Sequence, residues 1–283
     1  MTRPLCIYHG NCADGFGAAW VVWKYFKGNV DLHAGVYREE PPDVTDRDVI
    51  IVDFSYPVKE LVEIAEDAKS VMWLDHHKSA IDAFFDFVDM KTKLKEPPVS
   101  PNFKYVLDNS RSGAMLAWDQ FFPGKEAPQL LKHVQDRDLW KFELKGTEEI
   151  QAALFSYPYD LKMWDTFMVA DMSSTLESEG SAITRKHHKD IAELLKVTGR
   201  RMKIAGHDVP VANLPYTMSS DAGHIMAKGE KFAACYYDTP GGRCFSLRSS
   251  PDGYDVSEIA RQFSGGGHKH AAGFRVELGW EGD

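Results

Sequence analysis

The sequence predicts an α/β protein of two domains. A mostly parallel, doubly wound sheet is followed by a smaller α/β domain, with the site expected in the cleft between them. Three observations lead there. Short runs rich in Val, Ile and Leu alternate with amphipathic helical patterns through the first half. The chain has 283 residues, 43% of them hydrophobic, enough for about two cores. Charge also changes sign along it: residues 196–275 hold 11 basic and 7 acidic side chains, which leaves the rest strongly acidic within a net −9.

Taken in order, Leu5–Tyr8, Asp31–Val36, Val49–Val52 and Val71–Leu74 read as buried parallel strands. Ala18, Ala19, Val22, Trp23 and Phe26 form an apolar stripe at helical spacing, as do Leu61, Ile64, Ala65 and Ala68. Residues 82–104 lose this periodicity, and Pro97, Pro98 and Pro101 mark an excursion or loop. Helical patterns resume at Gly113–Phe121 and Pro128–Val134. The small, acidic stretch Ser173–Ser181 approaches a boundary, so the domains are expected at 1–180 and 199–283, joined by a helix over 181–198. Phe232–Tyr237 and Arg243–Arg248 flank Pro240-Gly241-Gly242 as a hairpin, and Val256–Phe263 reads as a short helix.

Composition excludes several classes. A net −9 argues against a protein that grips long duplex nucleic acid by phosphate neutralisation. No run approaches the ~18 apolar residues of a membrane span, and Met1–Gly10 lacks a signal-peptide layout. Four unevenly spaced cysteines do not make a disulfide framework. Cys235 and Cys244 flank the hairpin turn and could face each other, but two thiols are expected in a reducing cytosol. A cytoplasmic protein is the expectation.

Three predicted strands end in metal-competent side chains. The first is followed by His9, with Asp14 close behind; the third by Asp53; the fourth by Asp75-His76-His77. In an open parallel sheet the carboxyl ends of the strands share one edge, where ligands bind. Carboxylates and imidazoles gathered there need a cation to balance them. Asp53 alone could equally cap a following helix. His187-His188 lies among Arg185, Lys186 and Lys189 with no strand before it, and reads as a solvated helix face.

These residues resemble the DHH phosphoesterase family, in its nanoRNase-like, oligonucleotide phosphodiesterase branch. The triplet Asp75-His76-His77, His9 with Asp14-Gly15, and Asp53 match its first motifs. Gln135-Asp136-Arg137-Asp138-Leu139-Trp140 is similar to its fourth motif. Gly265-Gly266-Gly267-His268-Lys269-His270-Ala271-Ala272-Gly273-Phe274 is similar to the signature of its associated C-terminal domain. The resemblance implies two divalent metals, manganese being the expected ion. Asp53 would bridge them, His9 would bind the first, and Asp14, His76 and Asp136 the second. His77 would sit beside the substrate phosphate and Asp75 would orient the imidazoles. Asp138 is the rival to Asp136.

One departure matters. The family's first motif commonly reads Asp-x-Asp, whereas Cys12-Ala13-Asp14 stands here. Cys12 binds as a thiolate, or water fills its place, or the first metal is weakly held, or Cys12 is simply a small buried residue. Asn11 could add a carbonyl oxygen. A thiolate would favour zinc or iron over manganese.

The basic C-terminal segment supplies candidate anion contacts. The glycines 265–267 let backbone N–H groups approach a phosphate, His268 adds a donor, and Arg248 offers a planar fork. Ser110-Arg111-Ser112-Gly113 opens a helical pattern whose N-terminus could hold phosphate, or be a simple cap. The expected function is a metal-dependent phosphodiesterase acting through a metal-activated water on short oligonucleotides or small phosphorylated nucleotides. Alternatives are a pyrophosphatase or exopolyphosphatase, and a catalytically weakened nucleotide-binding protein. No membrane partner is expected, and a homodimer stays open.

Overall fold

The computed structural model describes residues 2–10, 12–94 and 99–283. Asn11, Pro97 and Pro98, singled out above, lie outside the described residues. By compactness the chain divides into Met1–Thr184 and Arg185–Asp283.

The first unit begins β1 (Leu5–His9), α1 (Ala13–Tyr25), β2 (Asp31–Gly35), β3 (Asp48–Val52), α2 (Val58–Asp67), β4 (Ser70–Asp75), α3 (Lys78–Lys93) and β5 (Phe103–Leu107). Its strands form one parallel sheet in the order β2-β1-β3-β4-β5. Strand side chains alternate between faces, and here both faces are apolar. Leu5, Ile7, Val49, Ile51, Val71 and Trp73 join one core with Leu61 and Ile64 of α2 and Phe84 of α3. Cys6, Ile50, Val52 and Leu74 join the other, with Trp20 and Val21 of α1. Helices α4 (Gly113–Phe121), α5 (Gln129–Asp138), α6 (Thr147–Ser156) and α7 (Leu161–Val169) complete that second layer. A sheet covered on both sides makes its carboxyl edge the open side for polar groups.

The stretch 82–104, expected to be an excursion or loop, contains most of α3 and the start of β5. Their signals are thin for physical reasons: Phe84 is the one side chain of α3 that is buried, and β5 is an edge strand that buries Phe103 alone. Likewise the polar run Ser173–Ser181 is the start of α8 (Ser173–Thr198), which passes through the division between the units. One small residue there serves packing: Gly180 is buried, and a Cβ on it would collide with the carbonyl of Glu149.

The second unit holds β6 (Gly199–Ile204), β7 (His207–Asn213), α9 (Ser219–Met226), β8 (Ala233–Thr239), β9 (Gly242–Arg248), α10 (Val256–Arg261), β10 (Gly266–His268) and β11 (Ala271–Val276). Its six-stranded sheet runs β10-β11-β9-β8-β7-β6, antiparallel except for β7 against β8. One face packs on Val256, Ile259 and Ala260 of α10, the other on Ala222 of α9 and Ile191 of α8. The hairpin forms as expected, but its register pairs Cys235 with Ser246 and Tyr237 with Cys244, so the two cysteines are not opposite each other. All four cysteines are free. Among the described residues no helix is long and apolar enough to cross a membrane.

Candidate metal centre

The parallel sheet delivers its polar residues to one edge. β1 ends at His9, β3 is followed by Asp53, and β4 ends at Asp75 with His76 and His77 next. Asp53 does not cap a helix: α2 starts at Val58 behind Pro57. It adopts φ 53°, a left-handed conformation uncommon outside glycine, with its N–H donated to Leu74 O at 2.9 Å. Its carboxylate is 1% exposed.

His76 is the centre of the cluster. Its Nε2 lies 3.0 Å from Asp53 Oδ1, 3.6 Å from Asp14 Oδ2 and 3.7 Å from Asp138 Oδ2. One imidazole nitrogen therefore faces three carboxylates. On the other side of Asp53, His9 Nδ1 stands 3.7 Å and Cys12 Sγ 3.9 Å from Oδ2. Ligand atoms of Asp14, Asp53 and His76 lie within 4.8 Å of one another, and so do those of His9, Cys12 and Asp53. Asp53 is thus common to two adjoining groups.

Electrostatics follow from this crowding. Burial acts most strongly on Asp53 and would raise its carboxyl, but the neighbouring imidazoles of His76 and His9 outweigh it and hold it far below the ordinary range. Burial also opposes charging of His76, yet the Asp138 and Asp53 carboxylates overcome it and push its pKa well up. His9 is raised in the same way, against burial, by Asp53 and Cys12. Asp14 is pushed well up by burial and then by the Asp53 and Asp138 charges. The cluster thus draws protons onto its imidazoles to offset buried carboxylates. A divalent cation supplies the same compensation, and His9 Nδ1, buried without a hydrogen-bond partner, faces the Asp53 oxygen. The donor set fits a metal.

Asp75 is fully buried and works through its neighbours. Its Oδ1 accepts from His76 N–H at 2.8 Å and from His77 Nδ1–H at 2.7 Å. That bond fixes the ring of His77 and directs its Nε2 away from Asp75.

Asp136 is not in this cluster. Its carboxylate accepts from Glu143 N–H at 2.9 Å, Leu144 N–H at 3.0 Å and Thr147 Oγ1–H at 2.6 Å. Asp138 occupies the place expected for it, and the reason is helical: positions two apart on α5 point about 200° apart, so only one can face His76. The N-terminus of α4 also differs from the phosphate-binding expectation. Gly113 and Ala114 donate their N–H groups to Asp14 at 2.6 and 3.1 Å, while Ser112 caps Met115. Gly113 is required there, because a Cβ would collide with Asp53 Cβ.

Two neighbours escape sequence reasoning. The sequence marks Gly113 only as a helix start. Tyr37 follows β2 and sets its ring 5.3 Å from His9 and 4.9 Å from Phe54; the strand-end rule, applied to β2, points to it.

In the second unit Arg248 donates to Ser246 Oγ at 3.0 Å and Leu247 O at 2.7 Å, and approaches Ser220 Oγ at 3.3 Å. Gly223 leaves room for its stem. The glycine run forms a hairpin arm rather than an open loop, with Gly266, Gly267 and His268 paired to Gly273, Ala272 and Ala271. A Cβ on Gly265 or Gly267 would collide with the facing β11 backbone, and Gly267 has φ 138°. Hairpin packing by itself explains those two glycines. His187, expected on a solvated face, pairs through Nε2 with Asp221 Oδ2 at 2.8 Å.

A doubly wound parallel sheet with a carboxylate–imidazole–thiol cluster at its carboxyl edge defines an α/β protein whose acidic and histidine side chains could bind metal. No family model matches the chain. The uncharacterized protein R106 of Acanthamoeba polyphaga mimivirus is 29% identical to it over 94% of the chain, which spans about two thirds (66%) of that relative's length. Among solved structures, RecJ in complex with Mn2+ from Thermus thermophilus is similar with a TM-score of 0.51 and 15% identity, covering 98% of this chain and 50% of RecJ. The pGpG-specific phosphodiesterase PggH of Vibrio cholerae aligns at a TM-score of 0.46 and 14% identity, over 98% of this chain and 94% of its own. The RecJ likeness shows the fold.

Proposed function

We propose that the chain is a DHH-type phosphoesterase, acting as a metal-dependent phosphodiesterase on short oligonucleotides or small phosphorylated nucleotides. The observation that carries this reading is His76 Nε2 facing Asp14, Asp53 and Asp138, with His9 and Cys12 on the far side of Asp53. The order of sequence motifs and the fold shared with a manganese-bound RecJ support it.

Asp14, Asp53, His76 and Asp138 would hold one cation; His9, Asp53 and Cys12 a second. When bound, such ions supply an activated water and neutralise charge developing on a phosphoryl group. The protein's own residues do the rest. Asp75 holds the His77 ring so that its Nε2 is presented away from Asp75, where a substrate phosphate would lie. Gly113 and Ala114 pin Asp14 in place. Arg248, Gly265, Gly266, Gly267 and His268 are proposed to bind the remainder of the substrate. No side-chain nucleophile is needed, so no covalent intermediate forms.

The test is hydrolysis of dinucleotides, short RNA and DNA, and pyrophosphate with added manganese, beside His76→Ala. Phosphodiester cleavage lost in the variant supports the proposal. Phosphate release from pyrophosphate alone transfers it to a pyrophosphatase. Binding without turnover under any cation would sink both.

A further inference from the structure

Cys12 stands at the head of α1 with its thiol directed at Asp53. It is the N-cap of α1, where Ser, Thr, Asp or Asn would satisfy a free N–H, yet its side chain makes no capping bond. Its sulfur is turned to the buried edge of the cluster, 3.9 Å from Asp53 Oδ2. The same oxygen is 3.7 Å from His9 Nδ1, a buried atom with no hydrogen-bond partner. Three different donors, N, S and O, converge within 4.8 Å. Around a tetrahedral ion with bonds of about 2.3 Å to sulfur and about 2.0–2.1 Å to nitrogen and oxygen, donors sit about 3.4–3.6 Å apart. The two separations to Asp53 Oδ2, 3.7 and 3.9 Å, need to close by only a few tenths of an ångström.

We propose that Cys12 is a thiolate ligand of the cation held by His9 and Asp53. That position therefore takes a sulfur-tolerant ion such as zinc, cobalt(II) or iron(II) in preference to manganese or magnesium. The inference rests on the proposed function only in that the cluster holds cations. Its chemistry is ligand softness: a thiolate lowers affinity for hard ions relative to borderline ones. On binding, the thiol proton passes to solvent and the S–metal bond replaces the S–H bond. The Asp14, Asp53, His76 and Asp138 position has only nitrogen and oxygen donors and keeps a preference for harder ions. The two halves of one cluster would then carry different metals.

The experiment is anaerobic titration of the metal-free protein with cobalt(II), followed by absorbance. The expected result is visible ligand-field bands together with a near-ultraviolet sulfur-to-cobalt charge-transfer band that saturates with the first equivalent. Cys12→Ser removes the charge-transfer band, retains cobalt at the other position, and weakens zinc binding by more than about tenfold. Cys244→Ser leaves the band intact. X-ray absorption of the zinc-loaded wild-type protein shows one sulfur at about 2.3 Å, a measurement that holds even if Cys12→Ser does not fold. Cobalt bound without a charge-transfer band, or a band surviving in Cys12→Ser, overturns the thiolate assignment while the metal centre stands. No cobalt bound at all overturns the proposed function with it.

Discussion

Asp136 and Asp138 stand two positions apart on α5 and do opposite work. Asp138 turns its carboxylate toward His76, 3.7 Å away and a quarter exposed. Asp136 spends its oxygens on the chain that leaves the helix, where two backbone N–H groups and the Thr147 hydroxyl donate to it. Their amides should therefore separate the roles. Asp138→Asn is expected to weaken manganese binding, read by calorimetry, with little change in the urea midpoint of the metal-free protein. Asp136→Asn is expected to cost about 1–3 kcal/mol of metal-free stability, because an amide NH2 then faces groups that all donate. Equal effects in both measurements would refute the division. The Asp-Arg-Asp string was legible as a site element from sequence. Which Asp faces the cluster was not, because that depends on the rotation of α5 about its axis.

Between α5 and α6 a buried chain of polar groups joins two elements. Gln129 Nε2 lies 3.4 Å from His133 Nε2, His133 Nδ1 lies 2.8 Å from Thr147 Oγ1, and Thr147 donates to Asp136. Burial lowers the His133 pKa below 6.5, outweighing the Asp136 charge. A histidine depressed in the folded state stabilises fully above its unfolded value of 6.5, and that contribution is lost as pH falls through the lower folded value. Wild-type protein is expected to lose more stability than His133→Gln between neutral pH and mild acid, in urea melts at matched salt. A parallel loss in both proteins would remove His133 from the account. On the opposite side of the sheet, α3 hangs on Phe84, whose ring packs 5.2 Å from Trp73 and 6.0 Å from Phe103. Phe84→Ala should cost about 3–5 kcal/mol in the first unit, measured as a shift in denaturant midpoint at unchanged slope. This element escaped the sequence because one deeply buried residue in sixteen leaves almost no periodic signal. The strands β1, β3 and β4 were legible because both faces of each are apolar.

For the whole molecule, net charge and cation binding belong together. Under the proposed function, bound cations would neutralise the acidic cluster of this net −9 chain where an anion lands. Cations that bind the folded cluster and not the unfolded chain stabilise by mass action, about 2.7 kcal/mol at a hundredfold excess over Kd. Manganese or zinc should accordingly raise the melting temperature of the wild-type protein, and chelation should lower it again. Asp53→Asn should abolish the response, since that carboxylate is common to both donor groups; a variant that responds as fully as the wild type would place the cations elsewhere. The sequence by itself determined the parallel α/β half, the hairpin of the second unit, and the His and Asp residues that reach the sheet's carboxyl edge. Each of these follows from local pattern: apolar runs make strands, and the residue after a strand is at its end. Tertiary structure alone decided that Asp138 and not Asp136 faces His76, that the N-terminus of α4 is spent on Asp14, and that Cys12 stands with His9 beside Asp53. Those outcomes depend on how distant segments are rotated and brought together, and no local pattern encodes a distance between residues far apart in the chain.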